Sequence, residues 1–217
     1  MISGNFKKRL FTSIALLISL ILIFKFNLLM VYFLIILGVF SIIEFLDLSM
    51  KIFRKKSGLI FLNSFFITYI FSFCFMFLFL SYHPGLKIIL YIILLGCVAS
   101  DIGGFIFGKT FKGPKLTKIS PNKTYAGSIG STIFTLIIMT SSFYYFTNSL
   151  NLTLILTALI TTIFCQLGDL IFSLLKRKAK LKDTGSFLPG HGGVLDRLDG
   201  ILLGVPIGLL TLVLLLN

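Results

Sequence analysis

The stretch PGHGGVLDRLDG, residues 189–200, gathers a histidine, four glycines, an arginine and two aspartates immediately before an apolar run. Gly192 and Gly193 can take backbone angles denied to other residues and so expose successive N–H groups to an anion. Asp196 and Asp199, three residues apart, fall on one face of the helix expected to begin there, with Arg197 between them in sequence. Upstream, Asp169, Ser173 and Lys176 (or Arg177) recur at helical intervals, lining one face with a carboxylate, a hydroxyl and a cation. Farther back, Lys109, Lys112, Lys115, Lys118 and Lys123 punctuate a segment that also holds Ser120 and Thr124. Lysine suits phosphate as a compact point charge, although a solvated basic loop would use the same residues. Carboxylates that converge with phosphate-binding cations describe a site for Mg²⁺ and a nucleoside triphosphate. An ordinary turn before a helix requires neither the histidine, the arginine nor both aspartates.

The elements that must position these groups are membrane helices. Hydrophobic residues make up 57% of the chain and charged residues 12%, about half the charge of a soluble domain. Apolar runs at 10–24, 28–46, 59–81, 86–107, 127–147, 151–175 and 200–216 predict an all-α polytopic bundle of about seven transmembrane helices. The first run follows Lys7, Lys8 and Arg9 but no small-residue cleavage site follows it, so it reads as a retained helix. Between Asn63 and Leu80 every helical face is apolar, and no stripe marks a core side. Gly103, Gly104 and Gly108 are expected to allow close helix packing. Cys74, Cys97 and Cys165 lie in apolar runs without CxxC spacing and read as buried small hydrophobes.

With the N-terminus cytoplasmic, 18 of the 20 basic residues fall on the cytoplasmic side, leaving Lys25 and Lys87 opposite. That is the positive-inside pattern, and it places the C-terminus outside. The net charge of +13 is then a topology signal and calls for no nucleic-acid partner. All seven acids, Glu44, Asp47, Asp101, Asp169, Asp183, Asp196 and Asp199, share the cytoplasmic layer. Glu44, Asp47 and Asp183 are expected to pair with nearby lysines. Asp101 and Asp169, set in long apolar runs, are functional candidates. The organisation expected is N-terminal membrane helices over 1–96 and a catalytic membrane region over 97–217, with cytoplasmic loops at 108–126 and 176–198.

The last segment resembles the phosphatidate cytidylyltransferase family. The family motif is matched by Ser173, Lys176, Arg177, Lys182, Asp183, Pro189, Gly190, His191, Gly192, Gly193, Asp196, Arg197 and Asp199, with its spacer intact. An Asp-x-Gly at Asp101 and the Ser-Pro-x-Lys-Thr of Ser120, Pro121, Lys123 and Thr124 extend the resemblance over about 97–216. Where the family places an aromatic and a Glu after that Thr, this chain has Tyr125 and Ala126. The resemblance implies transfer of CMP from CTP to phosphatidic acid, giving CDP-diacylglycerol and pyrophosphate, by a homodimer in a bacterial cytoplasmic membrane with its site facing the cytoplasm. It implies Mg²⁺ (or Mn²⁺), with K⁺ also implicated, held by Asp169 and Asp196; Asp101 and Asp199 are read as direct or water-mediated support.

Because the lipid phosphate is already an anionic nucleophile, catalysis must chiefly offset repulsion between two polyanions. Lys176, Arg177 and Arg197 are therefore expected to neutralise phosphates, and His191 with the Gly192–Gly193 backbone to orient the triphosphate. Ser120, Lys123, Thr124, Ser173 and Lys182 are the remaining expected substrate contacts. Two other readings stay open: a CTP-dependent polyprenol kinase of the dolichol or phytol type, and a non-catalytic transporter component. Polar groups confined to one face argue against a pathway through the membrane.

Overall fold

The computed structural model describes residues 15, 18–53, 56–117, 120, 123–187 and 192–216. Expectations that rest on Lys7, Lys8, Arg9, Arg54, Lys55, Lys118, Pro121, Pro189, Gly190 and His191, and on most of the first apolar run, lie outside these residues. Residues 18–25 are helical (α1). Six long helices follow: α2 (Asn27–Ile52), α3 (Lys56–Ser81), α4 (Pro84–Phe111), α5 (Tyr125–Thr147), α6 (Leu152–Lys178) and α7 (Leu195–Leu216). Each of the six is long and apolar enough to cross a membrane, as an all-α polytopic bundle requires.

The described residues group into two compact units. The first holds the chain up to Ser81 together with Leu175–Leu198. Here α2 and α3 pack through the stacked rings of Phe45 and Phe66, with centroids 3.7 Å apart, and Ser49 Oγ donates to Asn63 Oδ1 at 2.7 Å. Phe66, Ile70, Phe73 and Phe77 are buried at spacings of four, three and four, while Phe61, Phe65, Phe71 and Phe75 are exposed. α3 therefore has a packing stripe. Its sequence hides that stripe because lipid accepts phenylalanine as readily as a protein core does.

The second unit holds Tyr82–Leu174 and the chain from Asp199. Glycine sets its spacing. A Cβ added at Gly127 would come 2.9 Å from Gly104 O, one at Gly130 would come 2.7 Å from Gly103 O, and one at Gly103 would strike Gly130 O. α4 and α5 thus touch backbone to backbone, as Gly103 and Gly104 led one to expect. Gly200, Gly204 and Gly208 of α7 repeat every fourth residue. Added Cβ atoms there would meet Cys165 Sγ at 2.7 Å, Cys97 Sγ at 2.8 Å and Ile93 at 3.1 Å. Cys97 and Cys165 are buried free thiols filling this seam, and Cys74 is a half-buried one in the first unit.

Candidate functional site

In the first unit, α6 ends in a turn where Leu181 N donates to Lys176 O at 2.9 Å and Lys180 takes a left-handed backbone, φ 57°. The chain then passes through Thr184 and re-enters helix at Leu195. Asp196, on the first turn of α7, fastens this segment to itself. Its Oδ1 accepts the Lys176 ammonium at 2.6 Å, and its Oδ2 accepts Thr184 N at 2.8 Å and Gly193 N at 3.0 Å. The Asp196 side chain is 6% exposed and that of Lys176 12%, so this is a largely buried ion pair with backbone donors completing its shell. Gly192 has φ 84°, the positive angle that glycine was expected to supply. The Gly193 N–H, however, points at Asp196, so a phosphate would meet it only by displacing that carboxylate.

Sequence reasoning paired Glu44 with a lysine, and the structure corrects this. Glu44, 5% exposed on α2, accepts Thr184 Oγ1 at 2.7 Å, Val194 N at 2.9 Å and Leu195 N at 2.9 Å. One signal was available. The residues three and four away from Glu44 on its helix are Phe40, Ser41, Asp47 and Leu48, none of them a cation.

In the second unit, Lys123 Nζ donates to Asp169 Oδ2 at 2.8 Å. The segment leaving α4 reverses at Lys112 and Gly113, φ 53° and 94°. It is then held as a narrow loop by Leu116 N to Lys123 O at 2.8 Å and Tyr125 N to Pro114 O at 3.2 Å. Thr124, expected on substrate, caps α5: its Oγ1 accepts Gly127 N at 3.1 Å. Ser120 lies in the same loop, its N–H donating to Thr117 Oγ1 at 3.2 Å. One turn before Asp169, Gln166 accepts from Ser128 Oγ and donates to Thr162 Oγ1 at 3.3 Å, and Thr162 in turn meets Ser100 Oγ at 3.3 Å. Sequence reasoning passed over this polar chain, half-buried at Gln166 and Ser128 and buried at Thr162 and Ser100, although a glutamine inside an apolar run was visible. Asp169 Oδ1 lies where a Cβ added at Gly200 would come within 2.8 Å, so its carboxylate sits against the start of this unit's part of α7.

The profile described as the Cytidylyltransferase family matches residues 61–215, which run from the first turns of α3 almost to the end of α7 and include both aspartate–lysine pairs. The chain belongs to the cytidylyltransferase family. Relatives include the phosphatidate cytidylyltransferases of Staphylococcus haemolyticus (strain JCSC1435), 42% identical over 135 residues, and Rickettsia bellii (strain RML369-C), 44% identical over 142 residues. These matches cover 61% and 60% of this chain and 52% and 60% of the relatives. A third, from Rickettsia felis (strain ATCC VR-1525 / URRWXCal2), is 42% identical over 128 residues, 54% of this chain and 56% of its own. The chain thus spans little more than half the length of the relatives it matches.

The remaining candidate residues divide between the two units. Arg177, Lys182 and Arg197 are exposed in the first, where Arg177 Nη1 donates to Leu181 O at 3.3 Å. Ser173, half-buried, and Asp101, exposed, belong to the second, as does Asp199, whose Oδ1 accepts Gly200 N at 3.0 Å. Asp169 and Asp196 stand in different units. Among the described residues no group of three or more His, Cys, Asp or Glu forms a metal cage. A cage is not what Mg²⁺ needs, because it binds through one or two carboxylates and completes its shell with phosphate oxygens and water. Asp169 and Asp196 fit that chemistry. Each is a hard oxygen donor that holds a cation already, in the form of a lysine ammonium.

Proposed function

We propose that the chain transfers CMP from CTP to phosphatidic acid, releasing pyrophosphate and leaving CDP-diacylglycerol in the bilayer. A phosphate oxygen of the lipid attacks the α-phosphorus of CTP, and the bond to the β-phosphate breaks with its electrons going to pyrophosphate. No side chain has to create the nucleophile, because the lipid phosphate is anionic at neutral pH. The protein must hold two polyanions together and stabilise the charge gathering on the leaving group. Lys176, Arg177, Arg197, Lys123 and Lys182 supply that positive charge in this reading, with Ser120 and Ser173 as hydroxyl donors and His191 orienting the triphosphate. Thr124 is a further substrate contact in this reading, and its side chain also caps α5.

Mg²⁺ or Mn²⁺, held by Asp169 and Asp196 with Asp101 and Asp199 in support, would supply further charge neutralisation when bound. K⁺ is a second candidate ion. A homodimer in a bacterial cytoplasmic membrane, with the site on the cytoplasmic side, completes the proposal. The basic-residue asymmetry and the bacterial relatives support that placement.

The observation that carries the proposal is the cytidylyltransferase family match over 61–215, beside relatives named phosphatidate cytidylyltransferase, in a chain that holds both aspartate–lysine pairs. The test is an assay of purified protein with CTP and either phosphatidic acid or a polyprenol, reading pyrophosphate and CDP separately. Pyrophosphate formed only when phosphatidic acid is present is the expected result. CDP formed with dolichol or phytol would replace the proposal with the kinase reading.

A further inference from the structure

Glu44 lies deep in α2, where an uncompensated carboxylate would be strongly disfavoured. Its compensation comes from the other end of the chain. Val194 and Leu195 open α7, and their N–H groups are among those a helix leaves without internal partners. Both donate to Glu44, about 150 residues earlier in sequence. The N-terminus of α7 is therefore capped by a side chain of α2, and the helix dipole there faces the protein's own anion.

Two glycines make room for this contact. A Cβ at Gly185 would come within 2.6 Å of Glu44 Oε1, and one at Gly193 would strike both Glu44 Oε2 and Thr184 Oγ1. Thr184 joins the two carboxylates of the unit, its hydroxyl donating to Glu44 and its N–H to Asp196. Asp196 in turn receives Lys176. Displacing Glu44 would thus free Thr184 and Val194–Leu195, and with them the groups that orient Asp196 and Lys176. Beside this clamp, the rings of Phe40 and Phe187 meet with centroids 3.7 Å apart and pin the same segment to the preceding turn of α2.

We propose that Glu44 is a positioning residue for the nucleotide: it locks Thr184 and Gly193–Leu195 so that Asp196 and Lys176 present fixed charges to the phosphates of CTP. Since protein carboxylates already take the amides of Gly193, Val194 and Leu195, phosphate charge is met by side-chain cations rather than by the start of α7. The nucleotide part of this inference rests on the cytidylyl-transfer reading, whereas the clamp itself does not.

The experiment uses full-length protein in detergent, with Glu44→Gln, Thr184→Val and Thr184→Ser. Glutamine keeps the shape of Glu44, but its NH₂ would confront a backbone N–H donor, so it should fail to replace the carboxylate. Glu44→Gln should lower kcat/KM for CTP about 100-fold, the scale of a misplacement near 1 Å, with KM for phosphatidic acid changed less than about twofold. Hydrogen exchange in the peptide covering 192–198 should quicken about tenfold as its amides lose their acceptor. Thr184→Val should move both readouts the same way to a smaller extent, and Thr184→Ser, which keeps the hydroxyl, should restore them.

Unchanged exchange at 192–198 in Glu44→Gln would overturn the clamp. Equal losses for CTP and phosphatidic acid would overturn the nucleotide role. If Glu44→Gln does not fold, the threonine pair decides, and valine indistinguishable from serine would sink the inference. Should the unsubstituted protein release no pyrophosphate, the cytidylyl-transfer reading fails with the nucleotide role, while the exchange measurement still decides whether Glu44 holds the segment.

Discussion

Asp169 and Asp196 have the same expected role and different surroundings, and substitution should separate the two. Asp196 Oδ2 takes two backbone amides and its Oδ1 a buried ammonium, whereas Asp169 makes a single, more exposed pair with Lys123. Asp196→Asn removes one partner of a buried ion pair and turns an NH₂ toward existing donors, so it should cost about 3–5 kcal/mol of stability. Asp169→Asn should cost less, about 1–3 kcal/mol, because its pair with Lys123 is only part-buried. Both should reduce CTP turnover on the order of 100-fold or more, as expected when a charge serving the transition state is removed. Thermal unfolding in detergent, read beside pyrophosphate release, checks the contrast. An Asp196→Asn protein as stable as Asp169→Asn would show that the hydrogen bonds around Asp196 contribute little.

At the scale of elements, glycine decides how closely the helices approach. The Gly103–Gly130 and Gly104–Gly127 contacts bring backbone carbonyls to within reach of where a Cβ would stand. At Gly103 the nearest atom in the way is the main-chain Gly130 O, which cannot rotate aside. Gly103→Ala should therefore destabilise by about 1–3 kcal/mol through overpacking. Gly85, with nothing within 4 Å of an added Cβ, provides the control: Gly85→Ala should stay within about 0.5 kcal/mol of the parent. Detergent melting of both variants tests whether α4 and α5 must touch at their backbones. Separation of those helices would also disturb the loop that brings Lys123 to Asp169, since Thr124, the cap of α5, lies beside Gly108 and Gly127.

For the whole molecule, the proposed reaction depends on which side of the membrane the basic segments face. The charge pattern puts Lys25 and Lys87 opposite the remaining 18 basic residues. In cells expressing single-cysteine variants without the native cysteines, Lys87→Cys should react with an impermeant thiol reagent added outside. Lys180→Cys should react only after the membrane is opened. Lys180 is exposed and Lys87 partly exposed in the structure, so both side chains can be reached by a small reagent present on their side of the membrane. Labelling of position 180 from outside would reverse the topology and separate the basic segment from cytoplasmic CTP.

The sequence alone determined what can be summed or counted along the chain. Hydropathy gave the bundle, because crossing about 30 Å of hydrocarbon demands some 20 apolar residues per helix. The close packing at Gly103 and Gly104 was legible because a missing side chain admits a backbone wherever it occurs in a membrane helix. The Lys176, Gly192, Gly193, Asp196 motif was legible because its lysine and aspartate are costly in hydrocarbon without a task and its glycines permit positive backbone angles. Tertiary structure decided the partners. The stripe on α3 was hidden because lipid and core prefer the same side chains. Thr124 reads as a substrate contact in the motif, and only the fold shows that it also caps α5. Glu44 sits in an apolar run with no local cation, and only folding delivers Thr184, Val194 and Leu195 to its carboxylate. A hydrogen bond is satisfied by proximity in space, and a separation of 150 residues leaves no trace of it in local periodicity.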